Sequence, residues 1–311
     1  MSDAAAGPGS AVGARDGAAA PSAAEPLEPL TVTYGAHPSQ YFHVHLPQGP
    51  GPHPVVVLIH GGFWRLPYGL GLMRPLADDL VRRGFAAVNV EYRRLGEEGG
   101  GWPGTCEDVL NAVRSLGTGP LPFDLRRLGI VGHSAGGHLA LWVASALVGR
   151  GVERGATLDA EAGAGVDAGA DTESGGAVDE TLASAYSVVS LAGVVDMRAA
   201  ADDRLDEEHG KPPAAVEFMG GTPLERSDAY RLAAPIELLP LGPTVTQLVV
   251  HGDEDNRVPI SQSLDYARAA LAVDDRVELA RFASMGHFEV LEPDHESWSA
   301  SVGFLTATMF G

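Results

Sequence analysis

From about Leu30 the chain alternates short apolar runs with longer stretches of helical period. Residues 41–46 alternate in the manner of an outer strand, whereas 55–60 (VVVLIH) form an unbroken apolar run ended by Gly61-Gly62. Such a run suits a central strand buried on both faces. A helical pattern over 72–83 stops at Gly84, residues 86–90 (AAVNV) read as the next strand, and Pro103 opens a helix to about 116. Residues 128–131 (LGIV) predict a strand that enters GHSAGG. The following HLALWVASALV is apolar almost all round, so its helix should be buried. Strands at 188–191, 247–250 and 277–282, a helix at 261–272 and a closing helix over 294–310 complete the pattern. Strand and helix in alternation predict βαβ units, hence an α/β domain over 30–311 with a mostly parallel central sheet flanked by helices. Residues 196–243 are polar and Pro-punctuated and resolve into no pattern. They fall where a cap over a site could be inserted, either as a small helical cap or as a long irregular excursion.

Composition removes two segments from that domain. Residues 1–29 are Ala, Gly, Pro and Ser with almost no large apolar side chain, and about 151–180 is a Gly- and Ala-rich acidic insertion. Neither offers enough apolar surface to offset the entropy of ordering it, so a disordered tail and a low-complexity insertion are expected. The insertion reads as a tolerated surface loop, with an interaction role as the alternative. It holds eight acids against one arginine and carries part of the formal net charge of −20. An acidic surface of that kind speaks against nucleic acid and anionic membranes as partners. Cys106 is the one cysteine, so no internal disulfide can form. There is neither a basic-then-apolar leader in the first thirty residues nor an apolar run near twenty residues, so a cytoplasmic location is expected.

The candidate chemistry centres on Gly132-His133-Ser134-Ala135-Gly136, a G-x-S-x-G between an apolar strand and an apolar helix. A serine on a sharp strand-to-helix turn projects its hydroxyl, flanking glycines allow the close approach, and the helix N-terminus favours negative charge. A seryl hydroxyl is a weak nucleophile and needs an adjacent base. Of eleven histidines, His287 in the loop after the last strand is the candidate. Asp255, after the 247–250 strand, is the candidate acid that would orient it, with Asp253 and Glu254 as rivals. Gly62 or Phe63 from the turn after 55–60, together with Ala135, are the candidate oxyanion-hole donors, and Trp64 and His133 are candidate pocket residues. His43 and His45 share one face of a strand, but no third ligand lies near them, so no metal is expected. No phosphate-binding glycine motif opens a βα turn, so no nucleotide is expected to bind.

HGGFWR (60–65), GHSAGGHLA (132–140), HGDEDNRVP (251–259) and GHFEV (286–290) together resemble the α/β-hydrolase superfamily, in particular kynurenine formamidases (arylformamidases) and related small carboxylesterases. His287-Phe288-Glu289 most resembles the formamidase branch. The resemblance covers about 30–311 without the insertion. It implies an α/β-hydrolase fold and cofactor-free hydrolysis of a small-molecule ester or N-formyl amide through an acyl-enzyme, with Ser134, Asp255 and His287 as the triad. Peptidase activity, and a ligand-binding protein that has the fold without catalysis, are the alternatives.

Overall fold

The computed structural model describes residues 28–150, 186–207 and 210–311. Most of the proposed tail and all of the acidic insertion lie outside these residues. Eight strands form one sheet in the order β1-β2-β4-β3-β5-β6-β7-β8. They are β1 Leu30–Thr33, β2 Tyr41–His45, β3 His53–Ile59, β4 Ala86–Val90, β5 Phe123–His133, β6 Tyr186–Leu191, β7 Val245–Gly252 and β8 Arg276–Phe282. β1 and β2, and β2 and β4, pair antiparallel, and every other neighbouring pair is parallel. This is the α/β-hydrolase fold.

The period of two along β3 explains how the core divides. Val55, Val57 and Ile59 join one buried cluster with residues of helices α2 (Gly104–Ser115) and α3 (Ala135–Leu147). Val56 and Leu58 point to the opposite face and join Leu76 and Leu80 of α1 (Arg74–Arg82) and Trp298 and Leu305 of the C-terminal helix. Successive side chains of a strand face opposite ways, so a strand apolar at every position must be covered on both sides. The α3 helix is buried along Ala135–Ala146, in keeping with its lack of a polar face. The 72–83 pattern divides into a 3-10 turn, Leu70–Met73, and α1, with Pro75 in the first turn where its missing N–H is harmless.

The stretch that carried no pattern folds into three short helices, α4 Met197–Asp202, α5 Ala214–Met219 and α6 Ser227–Ala233, followed by a 3-10 turn at Pro235–Leu238. Phe218, Met219, Tyr230 and Ala233 are buried in the same cluster as α3. Two further helices, α7 Ser261–Ala272 and α8 Glu296–Phe310, close the chain. Among the described residues no helix is long and apolar enough to cross a membrane.

Candidate active site

Ser134 stands between β5 and α3. Its N–H donates to Leu191 O at 2.8 Å, which extends the β5–β6 pairing by one residue. Its backbone then turns to φ 56°, ψ −119°. A non-glycine residue there stores strain of about 1–3 kcal/mol, which persists only where the surroundings enforce it. The flanking glycines provide that enforcement. A Cβ on Gly132 would lie 1.9 Å from Gly136 O, and one on Gly136 would lie 2.1 Å from Ile59 O, so strand, turn and helix pack with no room for a methyl group. The turn carries Ser134 to a small cleft, open to solvent, that His287, Phe63, Tyr68, Phe288 and Arg257 also line.

His287 lies in the loop beyond β8, and Asp255 in the loop beyond β7. Their parallel neighbours bring the two loops together at the carboxyl end of the sheet, where Ser134 also stands. His287 Nδ1 is 2.7 Å from Asp255 Oδ2. The Asp255 side chain is fully buried, and all its acceptor capacity is engaged: Oδ1 receives the N–H groups of Arg257 (2.8 Å) and Val258 (2.9 Å), and Oδ2 also lies 3.2 Å from His251 Nε2. Burial alone would raise the carboxyl pKa. The hydrogen bonds from His251 and His287 outweigh it, so Asp255 is held well below the usual carboxylate range. With Nδ1–H donated to this carboxylate, Nε2 of His287 is left as the basic nitrogen. The Ser134 hydroxyl has no hydrogen bond among the described residues. A hydroxyl turns about a single bond, and such contacts commonly tighten only when substrate is bound.

The rival acids are elsewhere. Asp253 is exposed and pairs with Arg281, Oδ2 to Nη2 at 3.0 Å, and the Glu254 side chain is exposed.

The turn after β3 is shaped by successive positive φ values at Gly62 (110°), Phe63 (49°) and Trp64 (57°). A Cβ on Gly62 would strike Tyr68 Cβ at 2.2 Å. The N–H groups of Gly62, Phe63 and Ala135 donate to no protein acceptor among the described residues. His60, just before the turn, stacks on Tyr92 (4.3 Å between centroids) and bonds Glu91 through Nε2 at 2.9 Å, which anchors the loop from beneath.

The two pocket candidates separate. His133 lines the cleft, but its ring is buried and Nε2–H donates to His287 O at 3.0 Å, so it ties the serine turn to the histidine loop. Burial, with His287 adding to it, pushes its pKa down to about 3, and among the described residues its Nδ1 has no partner. Trp64 is not among the residues that line this cleft. It is 1% exposed and lies beneath the cleft, stacked on Phe218 (4.4 Å) with His138 edge-on to it (5.3 Å). Phe218 comes from α5, in the stretch whose pattern was unreadable, so nothing in sequence showed that an apolar partner awaited the indole.

Arg65 and Arg257 lie inside the HGGFWR and HGDEDNRVP stretches, but nothing in those motifs marks either as a site residue. Arg65 is nearly buried and reaches Glu217 Oε2 (2.6 Å), Asp206 Oδ2 (2.7 Å) and Pro212 O (3.1 Å), which pins the α4–α5 segment to the turn after β3.

Residues 42–269 match the BD-FAE family. This chain belongs to the BD-FAE family. That places it among esterase-type hydrolases of the α/β-hydrolase class. This BD-FAE member is similar in fold to a truncated carbohydrate esterase from gut microbiota (24% identity, TM-score 0.72, covering 94% of this chain and 99% of that one). It is also similar to a bifunctional GH43-CE of Bacteroides eggerthii (23%, 0.69, covering 89% of this chain and 37% of that one). A third likeness is to the esterase Est2 of Thermogutta terrifontis (18%, 0.64, covering 90% and 92%). No curated protein matches the chain.

Proposed function

We propose that this BD-FAE member is a serine hydrolase that cleaves a small carboxylic ester through an acyl-enzyme on Ser134. The observation that carries the reading is the strained Ser134 turn opening on the same cleft as His287, whose Nδ1 is fixed 2.7 Å from the buried Asp255. In this reading His287 Nε2 takes the hydroxyl proton as Ser134 Oγ bonds the substrate carbonyl carbon. The unclaimed N–H groups of Ala135 and of Gly62 or Phe63 receive the oxyanion. The imidazolium, stabilised by Asp255, gives the proton to the departing alcohol oxygen. Water then attacks the acyl-serine with His287 as base, which releases the acid and restores the hydroxyl. The carbohydrate esterase and Est2 relatives favour an ester over an amide.

A kynurenine formamidase-like activity on N-formyl aryl amides is the second reading. It is favoured by the half-exposed Phe288, which lines the cleft with Phe63 and Tyr68 and offers an aryl-sized apolar wall beside His287. Comparing kcat/KM for phenyl acetate and N-formylkynurenine on the purified chain separates the two. The ester should win by about ten-fold or more, a difference of about 1.4 kcal/mol in barrier. A reversed ratio selects the formamidase reading, and turnover of neither, despite tight binding, selects a non-catalytic ligand-binding role.

A further inference from the structure

The cleft wall contains three aromatic rings and one cation, Arg257, for which the proposed hydrolysis has no use. The Arg257 side chain is 41% exposed. Its guanidinium lies 5.6 Å over the Phe63 ring and bonds Asp206 Oδ1 through Nη2 at 2.9 Å. The other Asp206 oxygen is already held by Arg65 at 2.7 Å, so one carboxylate serves two guanidinium groups. A guanidinium presents five N–H donors in a planar fork. Among the described residues only one of the side-chain donors of Arg257 meets an acceptor. Its position relative to the serine site is also fixed. The Arg257 N–H is bound to Asp255 Oδ1, so the cation stands on the same tight turn as the acid. A partly satisfied fork beside aromatic walls matches a planar anion joined to an apolar or aryl group.

We infer that Arg257 is an anion-recognition residue of the cleft and that the substrate is an ester or amide that also bears a carboxylate. The carboxylate meets the free donors of Arg257, and the apolar part lies against Phe63, Tyr68 and Phe288. The inference rests on the hydrolase reading of Ser134 and narrows its substrate class. The net charge of −20 supplies no long-range pull on an anion, so the preference arises from the short-range fork and appears chiefly in affinity.

The test pairs binding with turnover on the intact chain. Titration calorimetry compares 4-hydroxybenzoate with its methyl ester, and steady-state kinetics compare 4-acetoxybenzoate with methyl 4-acetoxybenzoate. The methyl ester has the better phenolate leaving group, so intrinsic reactivity opposes the preference we expect. The carboxylate should bind about ten-fold or more tighter than its methyl ester, with the advantage lost in Arg257→Gln and partly kept in Arg257→Lys. Asp206→Asn, which removes the competing carboxylate, should strengthen carboxylate binding several-fold, a gain that a purely structural ion pair would not yield. Equal binding of acid and methyl ester, or an advantage that survives Arg257→Gln, overturns the anion subsite whatever the turnover. A binding preference that obeys Arg257, with no turnover of either acetate, supports the subsite and counts against the hydrolase reading instead.

Discussion

In an Asp255→Asn variant, the two oxygens of the carboxylate become one oxygen and one NH₂ group. Asp255 Oδ1 accepts from two backbone N–H groups, of Arg257 and Val258, and a carboxamide oxygen can keep both. The NH₂ group must then take the place of Oδ2, which faces His287 Nδ1 at 2.7 Å and His251 Nε2 at 3.2 Å. Two donors cannot share one proton position, so His287 is driven to the tautomer with a bare Nδ1 and a protonated Nε2. In that form it cannot take the proton of Ser134. The fold should survive, because the swap conserves shape and half of the hydrogen bonds. The rate should fall by about 10⁴ in kcat, or about 5 kcal/mol of barrier, the scale known for a triad acid changed to its amide. Hydrolysis of p-nitrophenyl acetate at neutral pH, with circular dichroism as the fold control, measures it. A folded variant within about ten-fold of wild type would refute the assignment of the acid and would direct attention to Asp253 or Glu254.

Three further outcomes follow from packing and charge. Gly136→Ala places a methyl group 2.1 Å from Ile59 O and should lower stability by about 3 kcal/mol in urea melts; a loss below about 1 kcal/mol would mean that the turn can relax. Arg65→Ala leaves the partly exposed Glu217 unpaired and Asp206 held by Arg257 alone, and should cost about 1–3 kcal/mol, with the α4–α5 segment becoming the first to exchange amide hydrogens; unchanged exchange there would contradict its role as a pin. Stability should also fall in acid. Burial holds the pKa of His133 at about 3 and that of His138 at about 4, below the ordinary 6.5, so the unfolded chain binds more protons between those limits. The stability these neutral rings contribute is present above about pH 6.5 and is lost as the pH falls toward 4, adding to the acid sensitivity of the depressed Asp255 carboxyl. A urea midpoint that stays level from pH 7 to pH 4.5 would disprove this.

Much of the fold is legible because a strand covered on both faces must be apolar throughout. That is why 55–60 and 86–90 stand out, and why GHSAGG between an apolar strand and an apolar helix marks a turn of this kind. What sequence hides has physical causes too. β1 is four residues long and mostly exposed, so it has no periodicity to detect. Helices α4, α5 and α6 span six, six and seven residues, barely two turns each, too short for a stripe to repeat. Arg65 and Arg257 meet at Asp206, at sequence separations of 141 and 51 residues, and no local pattern announces such a meeting. The place of Trp64 in a glycine-rich turn points to a pocket residue, whereas with positive φ at Phe63 and Trp64 the indole stacks on Phe218 beneath the cleft.

The proposed chemistry requires that the hydroxyl of residue 134 be an activated nucleophile. Incubating the folded chain with a fluorophosphonate probe and mapping the adduct by mass spectrometry tests it directly. One adduct per chain is expected, on the peptide containing Ser134 and absent from Ser134→Ala, whose turnover should also drop by about a million-fold. A folded wild-type chain that stays unlabelled, or a Ser134→Ala variant that labels as readily, would contradict it.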